Sequence, residues 1–389
     1  MKRILYLSFY FEPDLCAGSF RNSPLAKELA LQFGSENEVV VITTQPNRYN
    51  SFKVEAAPFE KFGNLTIHRI SIPEHKSGFL DQIHSFRAFY NGAKKIYTGQ
   101  SFDLVFASSS RLFTAYLGYL ASKTLEGPLY LDIRDIFTDT MKDVIRNPLV
   151  KMAVLPFMRY IEKRTFSNAK HINLISAGFK SYFSKYTKPT YSYFTNGIDD
   201  EFFDIQTSPP TNNTLKKIVY AGNIGEGQGL HTILPFVAKK LEGKYEFLVI
   251  GDGGAKGKLV NLLQENSITN VTLVVPVKRD ELKKIYNEAD FYFLHLNDYE
   301  AFKKVLPSKI FELGAYDKPI IAGVAGYANS FIAQYVTNSI LFNPGDHETM
   351  FSLLQNYQYK KEVRVEFKNK FKRANLNREM AASILKYIN

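Results

Sequence analysis

Twice along this chain, short β-rich runs alternate with helical stretches, and that double alternation restricts the fold more than any other feature. In the first half the strand candidates are residues 2–9, 38–44, 64–72, 104–108, 129–133 and 171–176. Between the first two, residues 20–33 put Leu25, Ala26, Leu29, Ala30 and Phe33 on one helical face. The near-continuous apolar runs VVVIT (39–43) and LVFAS (104–108) suit strands buried on both faces. The second half repeats the scheme, with strands expected at 217–222, 245–250, 271–277, 290–296, 319–323 and 339–342. Helices are expected there at 230–241, 279–288, 308–316 and 347–357. Such alternation predicts parallel sheets covered by helices. The turn-rich segment 195–214 reads as the linker, and the tail after Lys360 as charged helix. The expectation is an α/β protein of two Rossmann-like domains, 1–196 and 197–370, facing each other across a cleft. Residues 371–389 are expected to form a C-terminal helix that packs back on the first domain. Ligands of open α/β sheets sit beyond the carboxyl ends of the strands, so functional residues are sought just after them.

A chain of 389 residues is too long for one ordinary core and comfortable for two. The opening MKRILYLSFYFEPD reads as a buried strand, because Glu12, Pro13 and Asp14 follow its apolar stretch without a small-residue cleavage site. A single cysteine, Cys16, excludes an internal disulfide framework and fits a reducing compartment. Glycosylation-type triplets at Asn64, Asn212 and Asn270 are then incidental, and a cytoplasmic protein is expected. The net charge of +11 favours anionic partners. Without a run of five basic residues or a zinc-finger spacing, nucleic acid is the weaker reading.

Three segments carry candidate chemistry. In VYAGNIGEGQGL (219–230) a strand ends at Ala221, four glycines fall within eight residues, and a helix is expected near Leu230. Glycines admit an anion to backbone amides, and a helix N-terminus binds phosphate oxygens; the same turn also serves as a plain βα connection. The spacing is nowhere G-x-G-x-x-G, which disfavours a nicotinamide dehydrogenase. In VLPSKIFELGAYDKPII (305–321), Pro307 and Ser308 form a helix start, and Lys309 and Glu312 share one face. A lysine there can neutralise a diphosphate, and a carboxylate can accept from both hydroxyls of a ribose. The alternative is a surface ion pair. In LYLDIRDIFTDT (129–140), Asp132, Arg134 and Asp135 end a strand, either facing a cleft or forming a structural Arg–Asp pair. Upstream, Ala17, Gly18 and Ser19 could admit an anion to the helix expected from Phe20, while Cys16 has no histidine partner as a nucleophile. No Asp-x-Asp, G-x-S-x-G or P-loop pattern occurs, and the seven histidines lack ligand spacing, so no metal is expected.

Taken together, these residues resemble the retaining glycosyltransferases of family 4, of the GT-B fold. The resemblance covers nearly the whole chain: Y-F-E-P with Gly18, D-I-R-D, T-N-G-I-D, A-G-N-I-G-x-x-Q-G-L and P-S-K-x-x-E. It is similar above all to the branch that adds N-acetylated amino sugars, such as N-acetylfucosamine, in bacterial surface polysaccharide assembly. The resemblance implies a UDP-sugar donor held by Gly18, Asn223, Gly225, Gln228, Val277, Ser308, Lys309 and Glu312. Glu312 would take the ribose, Lys309 and the Gly225 turn the diphosphate, and the Val277 backbone, on an edge strand, the base. Asp135 and Arg134 would line the acceptor side as candidate catalytic residues, with no cofactor and no metal. The sequence departs from the commoner pattern at Asn223 and Gln228, where many members carry arginine and lysine, and at Lys304, where many carry a glutamate; Glu300 is a weak substitute.

Residues 79–97 and 144–166, the latter with Arg146, Lys151, Arg159, Lys163 and Arg164, mix bases with aromatics. They read either as solvated faces or as docking surfaces for an anionic membrane carrying a polyprenyl-diphosphate-linked acceptor. Pro148 and Pro156 argue against one long helix in the second stretch. Two rival functions share this fold: a sugar-nucleotide 2-epimerase, and a non-catalytic scaffold of a polysaccharide assembly complex.

Overall fold

The structure is a computed structural model that describes residues 1–14, 16–47, 55–73, 79–109, 111–145, 147–203 and 215–388. Arg146, Asn212 and the linker residues 204–214 lie outside the described residues. The chain divides into two compact units, residues 1–196 with 373–389, and residues 197–372.

The first unit carries strands β1 (Arg3–Ser8), β2 (Glu38–Thr44), β3 (Phe59–Phe62), β4 (Leu65–Ile70), β5 (Leu104–Ser109), β6 (Leu129–Ile133), β7 (His171–Leu174) and β8 (Thr190–Ser192). They form one sheet in the order β3-β4-β2-β1-β5-β6-β7-β8, parallel except for the β3–β4 hairpin. Its helices are α1 (Ala17–Phe33), α2 (Phe79–Tyr97), α3 (Leu112–Leu125), α4 (Phe137–Val144), α5 (Pro148–Phe166) and α6 (Lys180–Phe183). The second unit has β9 (Lys216–Ala221), β10 (Tyr245–Ile250), β11 (Val271–Val274), β12 (Phe291–His295), β13 (Ile320–Gly323) and β14 (Ser339–Phe342). All are parallel, in the order β11-β10-β9-β12-β13-β14. Helices α7 (Leu234–Lys240), α8 (Lys256–Glu265), α9 (Arg279–Glu288), α10 (Lys309–Gly314), α11 (Gly326–Tyr335), α12 (His347–Asn356) and α13 (Val365–Lys370) flank them. The last helix, α14 (Arg373–Leu385), belongs to the first unit, where Met380, Ala381 and Ile384 join a core with Leu25, Leu29 and Tyr130.

Both sheets reverse their direction of growth beside their first strand. In the first unit β2 and β4 lie on one side of β1 and β5 on the other; in the second, β10 and β11 lie on one side of β9 and β12 on the other. Parallel sheets open a crevice at such a reversal, beyond the carboxyl ends of the two strands. The loops after β1 and β5, and after β9 and β12, are therefore the positions where each unit can hold a ligand.

Four local expectations are corrected. Helix α1 begins at Ala17, three residues before Phe20, so Gly18 lies inside its first turn. The expected helix 230–241 is a 3-10 turn (Leu230–Thr232) followed by α7, because the Pro235 ring would clash with the carbonyl of residue 231 in a continuous helix. Strand β11 ends at Val274, leaving Val277 in the loop before α9 rather than on the edge strand. Finally, α5 runs unbroken through both prolines. Pro148 occupies the first helical turn, where no amide bond is lost, behind an Asn147 side chain that accepts from the Leu149 and Val150 amides. Pro156 forfeits a bond only to Met152, whose residue is exposed enough for water to replace it.

Candidate functional site

In the second unit, β9 ends at Ala221 and the chain turns through Gly222–Gly229. Gly222 and Ile224 donate their amides to Ile250 and Asp252 (3.0 and 2.8 Å), tying the turn to the end of β10. Gln228 and Gly229 donate to the Gly225 carbonyl, each at 3.2 Å. The Asn223 amide nitrogen donates to Gln228 Oε1 at 2.7 Å, clasping the turn across Gly225. A Cβ on Gly225 would stand 2.4 Å from Asn223 Nδ2, and one on Gly227 2.8 Å from the Phe302 ring. A side chain at Gly225 would thus push into the Asn223–Gln228 bond, and one at Gly227 would displace the Phe302 ring. Asn223 and Gln228 share this one bond, and residues 222–229 include no Lys or Arg, so the turn brings no cation of its own. Among the described residues the Gly225 amide has no acceptor within the chain.

His295, which the sequence reading missed, fastens this turn. It ends β12, and its Nδ1 hydrogen donates to the Gln228 carbonyl at 2.6 Å while Nε2 accepts from the Gly345 amide at 2.9 Å. Both bonds require the neutral Nδ1–H tautomer, and burial pushes the ring's pKa down to about 4. Two residues on, Asn297 donates its backbone amide to Gly227 (2.8 Å) and its side-chain amide to Glu226 (3.0 Å). A histidine closing an otherwise apolar strand was the available sign, but its two partners lie 67 and 50 residues away.

Lys309 and Glu312 face each other on α10. Lys309 Nζ donates to both oxygens of Glu312 at 2.9 Å and to the Tyr286 hydroxyl at 3.2 Å. The pair is partly covered, with 28% and 20% of the two side chains exposed. Burial first, and then the charge of Glu312, hold the Tyr286 phenol well above its ordinary value. Arg279 also feels Glu312, while pairing with Asp199 and Glu201. Ser308 precedes α10 without a side-chain capping bond. Val277 is half-buried against the core that also holds Ile310 and Phe311. The structure therefore joins Asn223, Gly225 and Gln228 in one group and Lys309 and Glu312 in another.

In the first unit the three charges at the end of β6 separate. Asp132 is fully buried within the strand and takes two bonds from Arg21 (2.8 and 2.9 Å), one from Ser108 (2.9 Å) and one from Asn173 (2.8 Å). Arg21 and these hydrogen bonds outweigh burial and keep its pKa low. Asp132 is accordingly structural, and its partner is Arg21 rather than the neighbouring Arg134. Arg134 is half-buried, and its Nε is buried without a hydrogen-bond partner. Its Nη1 comes within 3.1 Å of the position a Cβ on Gly18 would take. The absence of a side chain at Gly18 thus lets this guanidinium reach the first turn of α1, which holds no acidic residue. Beside it, burial pushes the Asp135 carboxyl up to about 6, against the lowering effect of the Thr140 hydroxyl (3.4 Å) and of Arg134. Among the described residues no group of three or more His, Cys, Asp or Glu is placed to hold a metal ion.

Comparison with known proteins bears on the second unit and on the fold. Residues 201–374 match the family described as Glycosyl transferases group 1. A 95-residue stretch is 30% identical to WcaI of Escherichia coli (strain K12), named for glycosyl transfer in colanic acid biosynthesis. That match spans 24% of this chain and 23% of WcaI. Among solved structures, sucrose-phosphate synthase from Thermosynechococcus elongatus superposes with a TM-score of 0.67 at 13% identity, over 100% of this chain and 95% of that one. Anabaena HepE in complex with UDP gives 0.64 at 14% identity, over 99% and 100%. Likeness at such identities speaks for the fold. Residues 201–374 thus match the group 1 glycosyltransferases, and the chain has the GT-B fold.

Proposed function

We propose that this chain is a retaining glycosyltransferase that needs no metal. It moves an N-acetylated amino sugar from a UDP-sugar to a lipid-linked or saccharide acceptor during surface polysaccharide synthesis. The observation that carries the reading is the Lys309–Glu312 pair, set in the segment that matches the glycosyltransferase family. Glu312 offers two oxygens, enough for both hydroxyls of a ribose, and taking them up frees the Lys309 ammonium for the diphosphate. The free Gly225 amide adds a donor for a phosphate oxygen, and the Val277 backbone pairs with the base. HepE, solved with UDP, with UDP and glucose and with UDP-glucose, supports UDP as the nucleotide.

A diphosphate is already a fair leaving group, so fixed positive charge and positioning carry the step. Lys309 stabilises the departing diphosphate. In the N-terminal unit, Arg134 and the first turn of α1 at Gly18 form a second anion-accepting position, and Asp135 lines the acceptor side. A carboxyl poised near 6 can take up the proton of an attacking hydroxyl at neutral pH. The experiment is to incubate the protein with UDP-N-acetylamino sugars and lipid-linked acceptor, measuring UDP release and the product's anomeric configuration by NMR. Acceptor-dependent release with retained configuration is expected. Inversion, or sugar isomerisation without acceptor, would overturn the reading.

A further inference from the structure

The exposed surface of α5 divides along its length in a way that its role in the core does not require. Leu155, Met158, Ile161, Glu162, Thr165 and Phe166 face inward. At 100° per residue, the outward half-circle collects Leu149, Val150, Met152, Pro156, Phe157 and Tyr160 toward the N-terminal end, and Arg159, Lys163 and Arg164 toward the C-terminal end. Leu149 and Met152 are 70% and 71% exposed, Phe157 57% and Tyr160 54%. Soluble surfaces scatter such side chains singly, whereas here they share one face of one helix.

Charge decides what the face fits. The helix has a single carboxylate, Glu162, which is buried and accepts from the Tyr182 hydroxyl at 2.5 Å. The outward face therefore carries three cations and no anion. Helix α2, the other basic and aromatic stretch, behaves differently. Of its described side chains, the exposed ones are His84, Arg87, Asn91, Lys94 and Lys95, all polar, so no exposed apolar side chain accompanies the bases there. Among the described residues no helix is long and apolar enough to cross a membrane, which leaves α5 to lie along a surface.

We propose that α5 seats the N-terminal unit on an anionic bilayer, with Leu149, Met152 and Phe157 entering the headgroup–acyl boundary and Arg159, Lys163 and Arg164 on lipid phosphates. The Arg164 guanidinium, 5.4 Å from the Tyr160 ring centroid, joins the apolar and basic ends of the face. This deepens the acceptor side of the proposed function, but membrane binding is measured without any sugar transfer, so each can fail alone.

The chain contains no tryptophan, so Phe157→Trp introduces a single reporter; Phe59→Trp, at an exposed site on β3, is the control. With vesicles of phosphatidylcholine and phosphatidylglycerol, the Phe157→Trp emission should shift to the blue and be quenched by brominated acyl chains, while the control should not respond. Arg159→Ser/Lys163→Ser/Arg164→Ser should lower partitioning on the order of a hundredfold. Leu149→Ser/Met152→Ser/Phe157→Ser should abolish the interaction, with melting temperature unchanged because all three side chains are exposed. Equal partition to neutral and anionic vesicles, or an unresponsive reporter at residue 157, would overturn the proposal. So would a dimer in light scattering that the apolar triple variant dissolves without any vesicle binding, since the face would then belong to a second copy of this chain.

Discussion

Lys309 Nζ stands 2.9 Å from each carboxylate oxygen of Glu312, one helical turn on, so the two side chains best suited to a nucleotide diphosphate occupy each other. A partly exposed pair of this kind contributes about 0–1 kcal/mol to stability. Glu312→Ala and Lys309→Ala should therefore melt within a few degrees of wild type. For UDP, losing bonds to a charged group should weaken binding roughly 10- to 100-fold in either variant, read by calorimetric titration. Unaltered affinity in both would remove this pair from the donor site.

Asp135 should govern the acid limb of activity. Its carboxyl is held up to about 6, so kcat/KM should fall as pH drops below that value if the ionised form is the working one. Asp135→Asn should cost about 10²–10⁴ in rate and erase the limb. A carboxyl whose folded pKa exceeds its unfolded one stabilises the fold only in its protonated form, an advantage lost as pH rises through 6. The same variant should thus be more stable at pH 7, by about 1–2 kcal/mol given the half-buried side chain. Thermal melts and a pH–rate profile on one preparation test both statements.

His295 behaves with the opposite sign. Its folded pKa, about 4, lies below the unfolded value, so the unfolded state binds more protons between the two. Stability should be full above the unfolded pKa of about 6.5 and decline on acidification toward 4, by roughly 3 kcal/mol. His171, also pushed down to about 4 by burial, adds a slope of the same sign in the first unit. His295→Gln should melt earlier at pH 7 and show a flatter pH dependence; an unchanged slope would mean the imidazole is not the titrating group.

Asp132 and Arg21 should be a costly buried pair to disturb in the first unit. Both are buried, and each is the other's charge partner. Asp132→Ala leaves a guanidinium unpaired and should destabilise by about 3–5 kcal/mol, on the order of ten degrees in melting temperature. Replacement of both by Asn and Leu should cost less than the sum, which a double-mutant cycle measures.

The architecture was largely legible in the order of residues. Strands 38–44, 129–133, 245–250 and 339–342 and helix 279–288 were bounded as the structure has them, because apolar or amphipathic runs there meet clear turn formers. Strands β3 and β8 were missed, being short edge strands without a buried residue, which hydrogen bonding rather than composition defines. Long-range partners were not legible. Arg21 lies 111 residues from Asp132, and neither Gln228 nor Gly345 announces a bond to His295. Local rules also gave way to context: the prolines of α5 weigh against a helix in isolation, yet the inward face of Leu155, Met158 and Ile161 packs well enough to carry it through. At the candidate site, the glycines and the Lys309–Glu312 spacing were visible, whereas the Asn223–Gln228 clasp over Gly225 was not.

The most direct measurement is thermal melting of wild type and Glu312→Ala with millimolar UDP, GDP, CDP and NAD. Occupancy at about 100 times Kd adds roughly 2.7 kcal/mol, a shift of several degrees. The account predicts a shift with UDP alone in the wild type, cut to about half or less in Glu312→Ala. A shift with NAD, or a UDP shift of undiminished size in Glu312→Ala, would contradict it.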